Sequence, residues 1–200
     1  MPRIFDNINE HLLGALHNTM QRSTHADFCV GYFNLRGWSQ LGALVERWEG
    51  GGGACCRVLV GMQTTPQEEL RQALRVARSD APLDQGTAAR LKRRAALEFR
   101  EQLTIGAPTD ADEQALRSLS AQLKTRKVVV KLHLAYPLHA KLYLLYRDDY
   151  TNPITGFLGS SNLTFAGLPR HKDHGRFIKV VLHASAAAKY VPVVTKAVAS

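Results

Sequence analysis

Cysteine is scarce in this chain: three in 200 residues, with Cys55 and Cys56 adjacent and Cys29 apart. That is too few, and too poorly spaced, for a disulfide framework; it predicts reduced, buried thiols and a cytoplasmic setting. No apolar run reaches the ~18–20 residues of a membrane span. The opening "MPRIFDNINEHLLGAL" carries acidic and amide residues where a secretory leader would be apolar, so no export signal is expected. Metal-ligand spacing is missing as well. No cysteine pair has it, and His133, His171, His174 and His183 are scattered, so neither a metal nor another cofactor is expected. Gly50 to Gly53 lacks the spacing and the lysine of a nucleotide-binding loop. There is no internal repeat. Acidic residues are in short supply: 17 Asp and Glu face 26 Lys and Arg, for a net charge of +9. Such a balance favours polyanionic partners, nucleic acid foremost.

The chain reads as one α/β domain over residues 1–200, with the possibility open that it is a piece of a longer protein. Ile4, Ile8, Leu12, Ala15 and Leu16 recur at helical spacing within 4–22. "ADFCVGYFNL" is rich in strand formers, "WSQLGALVERWE" predicts a helix, and "CCRVLVGM" predicts a buried strand after the glycines. Strand, helix, strand implies a βαβ unit and a largely parallel sheet flanked by helices. Residues 66–124 are different in character. "TPQEELRQALRVARS", "TAARLKRRAALEFREQL" and "DADEQALRSLSAQLK" are helix patterns, read together as a helical insertion, a dimerisation arm or part of a binding surface. Strands resume with "KVVVKLHLA", "HAKLYLLYR", "PITGFLGSS" and "RFIKVVLH", and 185–198 predicts a last helix.

The chemistry concentrates in "LHAKLYLLY" and "GFLGSSN". Alternation puts His139, Lys141, Tyr143 and Leu145 on one strand face, and leaves Ala140, Leu142, Leu144 and Tyr146 on a second, more apolar one. An imidazole and an ammonium side by side are costly to bury without a partner, so they should meet solvent or an anion. If the next strand is a neighbour, Ser160, Ser161 and Asn162 converge with them. One titratable nucleophile or base with several donors suits a tetrahedral oxyanion.

His139-Ala140-Lys141 followed by Gly159-Ser160-Ser161-Asn162 resembles the HxK…GSxN signature, or HKD motif, of the phospholipase D-like phosphodiesterases. "GFLGSSNLTFAGL" is similar to the prokaryotic branch of nucleases and of N-terminal domains of some Swi/Snf-type helicases, and "GYFNLRGW" to the segment after that branch's first strand. The shared motifs span 26–62 and 128–168. The resemblance implies a mixed, largely parallel sheet and a metal-independent phosphodiesterase acting on nucleic acid, most plausibly DNA. It implies a phosphohistidine: His139 as nucleophile or its acid partner, with Lys141, Asn162, Ser160 and Ser161 on the phosphate. The complete site needs two such motifs and this chain has one. A homodimer is therefore implied, or a second motif in helicase or nuclease domains beyond the chain.

Two departures stand out. Where the family often has an aspartate five residues after the lysine, this chain has Tyr146, with Asp148 and Asp149 slightly later. After "AGL" only Asp173 is acidic nearby, making it the candidate orienting acid for His139. These departures keep a second reading open: a catalytically weakened module that grips phosphate or DNA without cutting. Tyr32, Phe33, Trp38 and Trp48 are expected to be core or helix-face aromatics. Arg90, Lys92-Arg93-Arg94 and Arg100 form either a solvated helix face or a phosphate-tracking surface.

Overall fold

The structure, a computed structural model, describes residues 3–5, 11–61, 85–103, 109–133, 138–159, 162–163 and 177–182. The elements in chain order are β1 (Arg3–Phe5), α1 (Leu12–Met20), β2 (His25–Val30), α2 (Leu35–Trp38), a 3-10 turn (Gly42–Val45) and β3 (Cys56–Val60). They continue with α3 (Gln85–Leu103), α4 (Asp110–Lys124), β4 (Val128–Leu132), β5 (Lys141–Tyr146), β6 (Ile154–Gly159) and β7 (Phe177–Leu182). The expected helices within 66–84 and 185–198 lie outside the described residues. Among the described residues, no helix is long and apolar enough to cross a membrane.

Among the described residues, seven strands form one mixed sheet in the order β1-β7-β6-β5-β2-β3-β4. The α/β class expected from the sequence is what forms. Between the named strands, β2-β3 and β3-β4 are parallel, while β2-β5, β5-β6, β6-β7 and β1-β7 run antiparallel. A short turn decides this for β5 and β6. Between β5 and β6, Asp149 Oδ1 accepts from the N–H groups of Thr151 and Asn152, both at 2.9 Å, and so reverses the chain. A parallel neighbour instead requires a long crossover. The helical stretch supplies it, since α3 and α4 lie between the parallel neighbours β3 and β4.

Two sequence expectations change. Of the helix read over 4–22, Leu12–Met20 is described as helix, while residues 3–5 instead extend to pair with β7, and Phe5 packs on Phe157 with ring centroids 5.8 Å apart. The helix read over 38–49 becomes one short turn and a 3-10 turn. Trp38 lies so close over Gly42 that a Cβ there would stand 2.9 Å from Nε1. The indole N–H donates to Gln122 Oε1 on α4 at 2.9 Å, and Gln122 donates onward to the Gly42 carbonyl. Tertiary contacts thus hold a segment whose glycines make continuous helix costly.

One face of the sheet carries the main core. Phe28, Val30, Val58, Val60, Tyr143, Leu145 and Phe157 pack under α1, α2, α3 and α4. Phe33, Trp38 and Trp48 are buried there as expected, and Cys55 and Cys56 are buried free thiols, with Cys29 half-buried. Burial raises all three thiol pKa values. Both faces of β5 are buried: Tyr143 and Leu145, which share a face with Lys141, lie in the main core, and Leu144 and Tyr146 are buried on the more apolar second face.

The opposite face holds a smaller cluster of Leu144, Tyr146 and Ile154, and beside it a buried charge. Asp27, 1% exposed, accepts from Arg57 Nε and Nη2, each at 2.5 Å, and from the Tyr146 hydroxyl at 2.9 Å. His25 stacks on Tyr146 at 4.2 Å. Burial, only partly offset by Asp27, lowers the His25 pKa below its usual 6.5. The folded protein therefore binds a proton here less readily than the unfolded chain. Stability should be complete above about pH 6.5 and decline as the pH falls below it, until the folded-state pKa is passed. Denaturation midpoints at pH 7.5 and 5.5 should differ less in His25→Gln than in the parent; an unchanged difference would discard this linkage.

Candidate active site

The candidate site forms at the carboxyl ends of β2 and β3, the place where parallel strands leave backbone groups and loops free for function. The β2–β5 ladder ends with Val30 opposite Lys141. Two residues earlier on β5's approach, His139 meets Tyr32 just past β2, ring centroids 6.1 Å apart and edge to face. His139 is exposed, Lys141 half-buried. Lys141 Nζ donates to the His139 backbone carbonyl at 2.7 Å, so the ammonium sits beside the imidazole's own residue.

Two glycines make this approach possible. A Cβ on Gly61 would stand 2.3 Å from the Leu138 carbonyl oxygen. On Gly31 it would meet that oxygen at 3.1 Å, Asn162 Oδ1 at 3.1 Å and His139 Cα at 3.4 Å. Only bare backbone lets residues 138–139 lie across both strand ends.

Asn162 arrives from the far side. It follows β6, yet its Oδ1 accepts from the Tyr32 N–H at 3.0 Å, on the β2 side of β5. A bridge between Phe33 and Leu163, with the Asn34 N–H donating to the Leu163 carbonyl at 3.1 Å, fixes the segment. His139, at the head of β5, lies between β6 and this anchor. With its oxygen committed to an N–H, the Asn162 amide keeps two donors for an acceptor.

Around Gly31 and Tyr32, then, the structure brings together His139, Lys141 and Asn162. Ser160, Ser161 and Asp173 lie outside the described residues. Among the described residues, no carboxylate bonds the His139 ring. The aspartate position five residues after the lysine is held by Tyr146, whose hydroxyl reaches Asp27 on the buried second face. That network lies roughly 20 Å along β5 from His139. Tyr32 was expected in the core; it faces His139 and is half-buried instead. Its signal was the "GY" following β2, where a glycine that must stay bare precedes an aromatic beyond the ladder.

No family model matches this chain, and no curated protein matches it. Among solved structures it is similar to Nuc from Salmonella typhimurium, a phospholipase D family member, with a TM-score of 0.50 and 10% identity, covering 96% of this chain and 90% of that one. The chain has the phospholipase D-like fold. NucT from Helicobacter pylori is also similar, with a TM-score of 0.46 and 10% identity over 90% of this chain and 84% of that one. In this domain of phospholipase D-like fold, His139, Lys141 and Asn162 stand at one end of the central strands β2 and β5. The Asp27–Arg57–Tyr146 network belongs to the other end and to the opposite face.

Proposed function

We propose that this chain is a phosphodiesterase of nuclease type, acting on nucleic acid, with DNA as its substrate. The observation that carries the reading is the meeting of the exposed His139, the Lys141 ammonium and the free Asn162 amide donors around Gly31–Tyr32. A solved structure with the same fold, Nuc, is a phospholipase D family member, and the excess of basic residues suits a polyanionic substrate.

In this reading the neutral His139 imidazole attacks phosphorus and forms an N–P bond while the P–O bond to the leaving group breaks. A second histidine, supplied by a second copy of the chain, donates a proton to the leaving oxygen. Water then attacks the phosphohistidine, giving its proton to that second histidine, and the N–P bond breaks. Lys141 and Asn162 hold the non-bridging oxygens, with Ser160 and Ser161 as further candidates, and supply the electrostatic stabilisation that phosphoryl transfer needs. Asp173 is the candidate to orient the imidazole. Cleavage of a labelled oligonucleotide in excess EDTA tests the reading; no cleavage, with DNA retained, supports the binding-module reading instead. What favours that second reading is the lack, among the described residues, of a carboxylate on His139.

Gly61→Ala offers a check remote from the reacting groups. Its Cβ must displace the Leu138 carbonyl, 2.3 Å away, and with it His139. Overpacking of this kind costs about 1–3 kcal/mol, and a shift of about 1 Å at the reacting group lowers the rate on the order of 100-fold. Thermal unfolding and cleavage rate, measured together, should both fall. A variant with parental cleavage would show that the position of 138–139 does not matter.

A further inference from the structure

The basic charge of this chain is not spread evenly over its helices. Gln85–Leu103 holds five Lys and Arg against two Glu, whereas Asp110–Lys124 holds two against three acidic residues. On α3, Ala95 and Leu103 are buried and Phe99 packs against Phe33 with ring centroids 5.9 Å apart. This contact fixes which side of the helix faces out. Arg90, Arg93 and Arg100 are all exposed, and so is Leu97, at 60%. At 3.6 residues per turn these four fall within an arc of about 80°. The exposed Glu101 borders the arc, and Glu98 pairs instead with Arg94 at 3.6 Å.

Like charges on one helix face repel and weaken the helix by about 0.2–0.5 kcal/mol per pair. A bound polyanion removes that repulsion. The stripe also has the right length: from Arg90 to Arg100 the helix rises about 15 Å, or four to five phosphate steps of one duplex strand at ~3.4 Å each. Its location fits too, because Phe33, the anchor of α3, is the neighbour of Tyr32, whose ring faces His139.

We infer that Arg90, Arg93 and Arg100 form a track for the nucleic-acid backbone beside the His139 site, holding the polymer on which that site acts. This rests on the proposed phosphodiesterase reading and extends it to a polymeric substrate held outside the reacting groups. The probe is a fluorescein-labelled 20-nucleotide DNA duplex, titrated by anisotropy between 50 and 200 mM salt with the full chain. Arg90→Gln/Arg93→Gln/Arg100→Gln should lower affinity on the order of 10- to 100-fold and flatten the slope of log K against log salt by about 1 per arginine. The corresponding triple Lys variant keeps the charge and should restore both. Unchanged affinity and slope in the Gln variant would overturn the track. So would a change of oligomeric mass without a change of DNA affinity, which would assign the stripe and Leu97 to a protein partner. Hydrolysis of bis-p-nitrophenyl phosphate, too small to span the stripe, reads the His139 site separately, so the two ideas fail independently.

Discussion

His139→Ala should abolish phosphodiester cleavage, by about 1,000-fold or more, while leaving the fold intact. The magnitude follows from removing the group that forms the covalent bond: no other described side chain at the site can replace an imidazole as attacking base. The intact fold follows from exposure, since truncating an exposed side chain away from caps and cores changes stability by only about 0.5 kcal/mol. Lys141→Ala and Asn162→Ala should each cost less, on the order of 100-fold, as losses of a fixed charge or donor at the phosphate. Asn162→Ala should also lower stability by about 1 kcal/mol, because the Tyr32 N–H loses its acceptor. The measurement is oligonucleotide cleavage in EDTA alongside thermal unfolding. Cleavage by His139→Ala within tenfold of the parent would remove His139 from the chemistry.

The second large effect concerns stability. Asp27→Ala would strand a buried tyrosine hydroxyl and a guanidinium that now share one carboxylate on 2.5–2.9 Å contacts. Breaking a buried pair from one side costs about 3–5 kcal/mol, and the lower end applies here because the Arg57 side chain is 29% exposed and can recruit water. For a domain of this size about 3 kcal/mol corresponds to a fall in Tm of about 6–12 °C. Asp27→Asn should lose less, since the amide oxygen still accepts. A fall below 2 °C for Asp27→Ala, followed by circular dichroism, would mean that the network contributes little. Because it lies at the far end of β5 from His139, any cleavage defect in this variant should track unfolding and not appear in the folded fraction.

Local pattern carried much of the fold. The helix Asp110–Lys124 has the bounds its pattern predicted, and Thr109 caps its start, accepting from the Asp112 N–H at 3.2 Å, while Asp112 reaches back to the Thr109 N–H at 3.0 Å. The strands at 56–60, 128–132 and 141–146 announced themselves as β-branched and aromatic runs bounded by turn residues. Pattern failed where distant residues decide. Residues 3–5 continue a helical spacing, but the edge of β7 offers ladder hydrogen bonds that an isolated first turn cannot match. At the site, the candidate trio was readable as residue types, whereas Tyr32 was assigned to the core and Gly31 and Gly61 were given no role of their own, because their importance comes only from what crosses them.

Residue identity and alternation alone established the α/β class, the excess of positive charge, and a strand opening on Lys141 with His139 two residues ahead of it. These are properties of neighbours along the chain, set by side-chain chemistry and backbone period. Tertiary structure decided the rest: that β2 lies between β5 and β3, that Asn162 reaches past β5 to the Tyr32 N–H, that Asp27 meets Arg57 and Tyr146, and that the α3 arginines face outward. Strand order and register are settled by burial summed over the whole sheet, and no local stretch of sequence contains that sum.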